Sequence, residues 1–318
     1  MLRGPIASPG FRGQFSGHET FPLRYGWLNK VFDALLHWKA KRNDSLFSRP
    51  ESIADFGVGK NMVASMKHWA ITSGLIEECE EGYRPTPLGE LLMGKEGLDP
   101  YLESPAALWL IHWNIASNPN RATTWYWAFG CYSNLVFDQD RLLAELLQLC
   151  KDQDWKRVAP TTLKRDIECF VKTYAMGTRR ASTDVTEDSL ESPLSELALI
   201  KPTGFRGSFQ FQRGPKPSLP DGLFAFALDE FWRAQNTTAN TLSVESITYE
   251  PGSPGRVFKL DEDAIVERLA RISQASEGVF EWTDTAGLSQ VVRTGKKTNS
   301  KKILRLAFPS TAPAKRAA

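Results

Sequence analysis

Cysteine is scarce in this chain, and nothing in its pattern builds a metal centre. The four cysteines, Cys79, Cys131, Cys150 and Cys169, fall 52, 19 and 19 residues apart, with no Cys-x-x-Cys pair and no histidine at ligand spacing. A zinc site is therefore not expected; reduced, mostly buried thiols are. Long apolar runs are also missing: no stretch approaches the length of a membrane span. The first residues, Met1-Leu2-Arg3-Gly4-Pro5, lack the apolar core of a secretory signal, so a cytoplasmic location without a membrane partner is expected. Net charge is nearly absent, at +2 over 318 residues. With 42% apolar and 24% charged residues, the composition is that of a soluble globular protein long enough for two or three buried cores.

The small net charge hides an uneven distribution. Lys151 to Arg180 holds eight Lys or Arg against four Asp or Glu, and Val291 to Ala318 holds eight Lys or Arg and no acid. Asp184 to Glu196 between them is acidic and reads as an exposed loop. Charge runs are commonly solvated faces, but clustered cations are also what a phosphate backbone attracts.

Residues 48–85 read as a helix-turn-helix with a wing. Ser48-Arg49-Pro50-Glu51 has the pattern of a capping box, followed by a short helix through Ile53, Ala54 and Phe56 and a turn at Gly57-Val58-Gly59. Lys60 to Ser73 has Met62, Val63, Met66, Trp69 and Ala70 on one helical face, with Gly74 to stop it. The other face carries Lys60, Asn61, Ser65, Lys67, His68 and Thr72, donors suited to a helix in the major groove of double-stranded DNA. Leu28, Val31, Phe32, Leu35 and Trp38 mark a supporting helix ahead of the motif. Leu75-Ile76 and Tyr83-Arg84 are the expected wing strands, with Glu77, Glu78, Glu80 and Glu81 at a tip that repels phosphate. A protein-interaction role for such a unit stays open beside DNA contact.

A second unit runs from Arg141 to Tyr174, with one helix through Leu142, Leu143, Leu146, Leu147 and Cys150. A connection over Asp152–Pro160 leads to a helix marked by Leu163, Ile167, Phe170, Val171 and Tyr174. Its start, Ala159 to Ile167, resembles the recognition helix of DeoR-type repressors, which makes Thr161, Thr162, Lys164 and Arg165 candidate contacts; an ordinary helix with a basic outer face is the competing reading. A helix starts at Ser104-Pro105, and the aromatic run Thr124 to Phe129 behind it reads as core by its apolar neighbours, with stacking on single-stranded bases the competing reading. Phe205 to Phe211 alternates as a strand, Gly214 to Pro220 is a stiff connector, and Asp221 caps the next helix. Asn240 to Phe308 again resembles a winged helix: a short helix at Leu242, Val244 and Ile247, a helix from Leu260 to Ile272, and strands near Val279–Trp282, Gln290–Arg293 and Lys302–Leu306. Its acidic Asp261-Glu262-Asp263 start favours packing or a protein partner over a groove.

Chemistry concentrates in Phe15 to Trp27. His18 can move a proton, Glu19 can bind a metal or act as a base, and Arg24 can hold a phosphate. The structural alternative is a Gly/Pro turn locked by a Glu19–Arg24 ion pair. A phosphodiesterase-like His37-x-Lys39 with Asp44, and an Asp138 or Asp140 pattern with Asp154-Trp155-Lys156, lack the flanking residues or strands those chemistries need.

Phe15-Ser16-Gly17-His18-Glu19-Thr20-Phe21-Pro22-Leu23-Arg24-Tyr25-Gly26-Trp27-Leu28, with Gly57 to Val63, Thr86 to Gly89, Thr123 to Trp127 and Pro215 to Asp221, resembles a family of bacterial proteins of phage-defence operons. These are the SspB-like components of single-strand DNA phosphorothioation systems. The resemblance covers nearly the whole chain. It implies DNA binding and nicking beside a cysteine desulfurase, an ATPase and an ATP-pyrophosphatase-like partner. It does not supply catalytic positions; His18, Glu19 and Arg24 stand as candidates on their chemistry, with Glu19 the candidate ligand for Mg or Mn in metal-assisted hydrolysis.

The expected fold is mainly α with small β wings: multiple winged helix-turn-helix units around a helical middle domain. The expected division is an N-terminal unit over 1–98, a middle domain over 99–235, a C-terminal unit over 236–310 and a basic tail over 311–318. The expected function is the DNA-binding component of a phosphorothioation system that nicks one strand. A non-catalytic DNA-binding adaptor or transcriptional regulator is the alternative, and a scaffold bridging partner enzymes the third reading.

Overall fold

The computed structural model describes residues 3–37, 46–155, 158–175, 192–285, 288–296 and 299–308. Trp38, Lys39, Asp44, Lys156, most of the acidic segment and the basic tail lie outside the described residues. About half of the chain is helical and its sheets are small and antiparallel, as expected of a mainly α protein. No helix among the described residues is long and apolar enough to cross a membrane.

The first unit follows the apolar spacing closely. Helix α1 (Trp27–His37) buries Leu28, Val31, Phe32 and Leu35, and packs on α3 (Lys60–Thr72), which buries Val63, Met66, Trp69 and Ala70. Helix α2 (Ser52–Phe56) lies between them in sequence, and strands β1 (Ile76–Cys79) and β2 (Gly82–Pro85) form the hairpin behind. The hairpin keeps its acids: Glu80 and Glu81 are exposed at the turn and Glu77 pairs with Arg84. The expected capping box is displaced. Helix α2 begins at Ser52, and Glu51 precedes it without a side-chain cap. Arg49 instead bonds Asp55, and Ser52 Oγ donates to Leu46 O at 2.7 Å, so the segment is held as a turn onto α2. Helix α4 (Pro87–Met93) closes the unit with Thr86 as its N-cap.

Helix α5 (Pro105–Ala116) is buried on every side, which its continuous apolar sequence requires. Around it stand α6 (Thr123–Tyr126), the π-helical turn Trp127–Cys131, strand β3 (Val136–Asp138), α7 (Gln139–Asp152) and α8 (Pro160–Tyr174). Strands β4 (Ile200–Pro202) and β5 (Ser208–Phe211) join β3 in the order β3-β5-β4. Phe205 and Arg206 were expected in a strand, but they form the exposed turn between β4 and β5. Trp125, Tyr126, Trp127 and Phe129 are buried, as their apolar surroundings required.

Helix α9 (Asp221–Ala234) opens the last part, followed by β6 (Thr241–Ser243), α10 (Val244–Tyr249), α11 (Pro254–Val257), α12 (Glu262–Leu269), α13 (Ile272–Ala275), β7 (Phe280–Thr285), β8 (Leu288–Arg293) and α14 (Ser300–Arg305). Three expectations change here. Leu242 lies in β6, and Lys302–Leu306, expected as a strand, is helical because Ile303, Leu304, Ala307 and Phe308 repeat at helical spacing and pack on α9. Asp221 does not cap α9; its carboxylate takes Arg268 at 2.8 Å and Arg271 at 2.7 Å.

Candidate functional site

The segment Phe15 to Trp27 forms a strap between α3 and α8, and its backbone is bent into an unfavourable shape to do so. Ser16, Glu19 and Thr20 have φ of 72°, 48° and 68°, and Gly17 has 96°. Left-handed non-glycine residues cost energy and persist only where contacts hold them. At Gly17 a Cβ would lie 2.5 Å from His68 Nδ1, so only glycine fits beneath that ring.

The contacts that hold the strap are buried. His18 Nε2 donates to Asp166 Oδ1 at 2.7 Å, and the Thr20 N–H donates to His18 Nδ1 at 3.0 Å, which fixes the tautomer. Asp166 Oδ1 also accepts the Ser16 N–H at 3.1 Å. Further along, Trp69 Nε1 donates to the Phe21 carbonyl at 3.0 Å, and the Cys169 thiol reaches the same oxygen. One short loop thus takes bonds from α3 and α8 alike.

Of the three catalytic candidates, the structure brings none to face another across an open site. His18 is buried with both ring nitrogens committed, so it is placed to hold the strap rather than to shuttle a proton outward. Arg24 is buried, its guanidinium 5.4 Å from the ring centres of Phe21 and Trp27. Glu19 is exposed. Glu19 is the expected metal ligand; among the described residues no group of three or more His, Cys, Asp or Glu is clustered so as to hold a metal ion.

The candidate DNA contacts divide between the two helices. On α3, Lys60 and Asn61 are exposed and Lys67 is half-buried, with its ammonium 5.7 Å from the Tyr83 ring. Ser65 and Thr72, expected on the same outer face, are fully buried, so neither can reach a groove. His68 is half-buried under Gly17 and beside His18, the rings 5.9 Å apart. Burial, then the neighbouring His18, push the His68 pKa down to about 4, with Asp166 opposing. The strap covers the edge of α3 that its sequence presents as polar.

Helix α8 keeps its outer face. Thr161, Lys164, Arg165 and Lys172 are exposed and Thr162 is half-buried, at positions separated by three, four and seven residues along one stripe. Asp166 points inward from the same helix. It falls within the repressor-like pattern, but its place three residues after Leu163 and four before Phe170 puts it on the buried face.

A second polar cluster escaped the sequence altogether. Lys259 is buried and donates to the carbonyls of Ala128 and Phe129 at 3.3 and 2.9 Å, while Arg256 donates to those of Gly130 and Tyr132 at 2.7 and 3.1 Å. These two cations saturate the oxygens that the π-helical turn leaves unpaired. Burial holds the Lys259 pKa well below the ordinary lysine range. Lys216 likewise donates to Gln212 and Gly214 carbonyls, and burial brings its pKa down to about 8. A cleft of about 380 Å³ beside it is lined by Pro215, Pro217, Asp221, Arg268 and Arg271. Its buried cations already serve carbonyls and Asp221, which leaves α8 with the more available charge.

The comparisons bear on the whole architecture. A family model described as "Protein of unknown function (DUF4007)" matches residues 15–308. A magnesium ion-bound SspB crystal structure superposes with a TM-score of 0.81 at 25% identity, covering 95% of this chain and 88% of that one. A second SspB crystal structure gives 0.80 at 25% identity, over 94% and 87%. No curated protein matches the chain. The SspB-like resemblance read from the Phe15–Leu28 motif therefore extends to the three-dimensional fold.

Proposed function

The chain belongs to the DUF4007 family, and from that premise we propose that it is the DNA-binding component of a DNA phosphorothioate modification system. The observation that carries this reading is the exposed stripe of α8, Thr161, Lys164, Arg165 and Lys172, on a helix tied through Asp166, His18 and the strap to α3 at His68 and Trp69. The order of three helices and a hairpin over α1 to β2 supports a winged helix-turn-helix in which the acidic hairpin stays off the backbone. In this reading the chain divides into units over 1–98, 99–235 and 236–310. A cysteine desulfurase, an ATPase and an ATP-pyrophosphatase-like protein are the proposed partners, in the cytoplasm. The chain acts here as the subunit that holds and positions DNA, with His18 a positioning residue.

Binding measured across salt tests this. Each phosphate neutralised contributes a slope of about 0.9 in log affinity against log salt, so Lys164→Ala with Arg165→Ala should flatten the dependence by about 2, and Lys60→Ala by about 1. Binding that is absent, or indifferent to salt, overturns the reading in favour of a scaffold that bridges enzymes.

The second reading, that the chain itself nicks one strand, draws on the left-handed run that displays Glu19 on the surface. It predicts relaxation of supercoiled plasmid in Mg²⁺ or Mn²⁺, abolished by Glu19→Ala in a protein of unchanged stability. Relaxation that survives this substitution removes Glu19 from the chemistry.

A further inference from the structure

The turn between β4 and β5 carries the most exposed large apolar side chain among the described residues. Phe205 is 82% exposed. Its surroundings are built rather than loose. The Ser208 N–H donates to the Phe205 carbonyl at 3.1 Å, closing a tight turn in which Gly207 takes φ of 76°. Below it, the Thr203 N–H donates to Ser208 O at 2.9 Å, and Thr203 Oγ accepts the Phe205 N–H at 3.3 Å. Phe209, two pleats into β5, stacks against Phe137 in the sheet. The hairpin is thus anchored at its base and presents one aromatic ring at a narrow tip.

Charge selects the partner. Lys201, Arg206 and Arg213 are exposed, and the sequence from Leu197 to Pro220 contains no Asp or Glu. Neither Lys201 nor Arg206 is held in an ion pair among the described residues. A solitary exposed ring between uncommitted cations suits a polyanion whose interior offers flat apolar faces. A nucleic-acid strand has both.

Placement agrees with this. Ile200, the first residue of β4, pairs with Ala175 directly after α8, so the hairpin leaves from the C-terminal end of the helix that carries Lys164 and Arg165. Lys172 is exposed in between. From Arg165 to Tyr174 the helix rises roughly 14 Å at about 1.5 Å per residue, which is about four base steps along a strand.

We propose that Phe205 is a wedge that stacks on a nucleobase at an opened step of the DNA held by α8, with Lys201 and Arg206 on the flanking phosphates. The proposal deepens the DNA-binding reading and rests on it. Phe205 supplies no charge, so its contribution separates from phosphate contacts by experiment.

The test uses the full chain with two duplexes of one sequence, one fully paired and one with an unpaired fluorescent purine analogue. Wild type should favour the unpaired base and change the analogue's emission. Phe205→Ala should lose roughly tenfold in affinity for that duplex, within the range that stacking supplies, with its salt dependence intact. Phe205→Trp should keep the affinity, and Arg206→Ala should lower the salt slope by about 1. If wild type binds with a steep salt slope and Phe205→Ala binds both duplexes as wild type does, the wedge is wrong and the α8 reading stands. Equal losses on both duplexes, or a Phe205-dependent attachment to anionic phospholipid vesicles with DNA binding unaltered, also overturn the wedge. If wild type binds neither duplex at low ionic strength, both readings fall together.

Discussion

Replacing His18 with alanine should lower the stability of the chain by about 3 kcal/mol, far more than a surface substitution does. The ring fills a buried site, and its Nε2–H satisfies a carboxylate oxygen of Asp166 that is itself out of contact with water. Without the ring, Asp166 retains only the Ser16 N–H named above, and its other oxygen, Oδ2, has no hydrogen-bond partner. A buried carboxylate stripped of a donor carries the desolvation penalty of a charged group. The Thr20 N–H loses its acceptor as well, and the left-handed residues Ser16, Gly17, Glu19 and Thr20 lose what holds them. Urea unfolding of wild type, His18→Ala, Asp166→Ala and the double variant checks this. The single losses should not add, because each removes the same bond. Loss of plasmid relaxation in His18→Ala at wild-type stability would instead make His18 a catalytic residue.

Much of this arrangement was legible before any coordinates. Periodicity located α1, α3, α5, α7, α8 and α9, because buried apolar residues at helical spacing leave little freedom of assignment. The density of His18, Glu19 and Arg24 in one short motif marked the strap, although its chemistry pointed outward while the structure turns His18 and Arg24 inward. What failed depended on long-range partners. Ser65 and Thr72 read as outer donors because a polar side chain on an amphipathic helix is assumed to be solvated; in the folded chain both are buried. Asp221 looked like a helix cap until Arg268 and Arg271, far along the chain, drew its carboxylate away. Lys259 was invisible for the same reason, since no local pattern announces that a lysine will saturate the carbonyls of a π-helical turn some 130 residues earlier. Phe205 was counted as a strand residue because alternation continues across the turn, and only Gly204 and Gly207 beside it hinted at a tip.

Acid should unfold this chain through its histidines. His112 lies at the centre of the fold, where its Nε2–H donates to the Val257 carbonyl at 2.9 Å and its Nδ1 accepts the Tyr174 hydroxyl at 2.8 Å. Burial, reinforced by Lys259 and opposed by the Val257 carbonyl, pushes its pKa down to about 3, and His68 is pushed down to about 4 from the ordinary 6.5. Both folded values lie below the unfolded one. Between them the unfolded chain binds more protons than the folded chain, so stability falls as pH falls below 6.5. The loss is complete for His68 below about 4 and for His112 below about 3. The loss is on the order of 3 kcal/mol for His68 and about 5 kcal/mol for His112, and together they are comparable with the whole stability of a typical domain, about 5–15 kcal/mol. Carboxylates titrate in the same region, so the wild-type curve alone does not isolate the effect. His68→Gln does: it removes one proton from the linkage, flattens the dependence of the urea midpoint between pH 6.5 and 4, and leaves α8 untouched. An identical pH dependence in wild type and His68→Gln would show that the ring charges as readily in the folded chain as in the unfolded one. If the loss follows His68 instead, the proton that charges it lands against His18, where the strap joins α3 to α8, and acid should weaken DNA binding before the rest of the fold gives way.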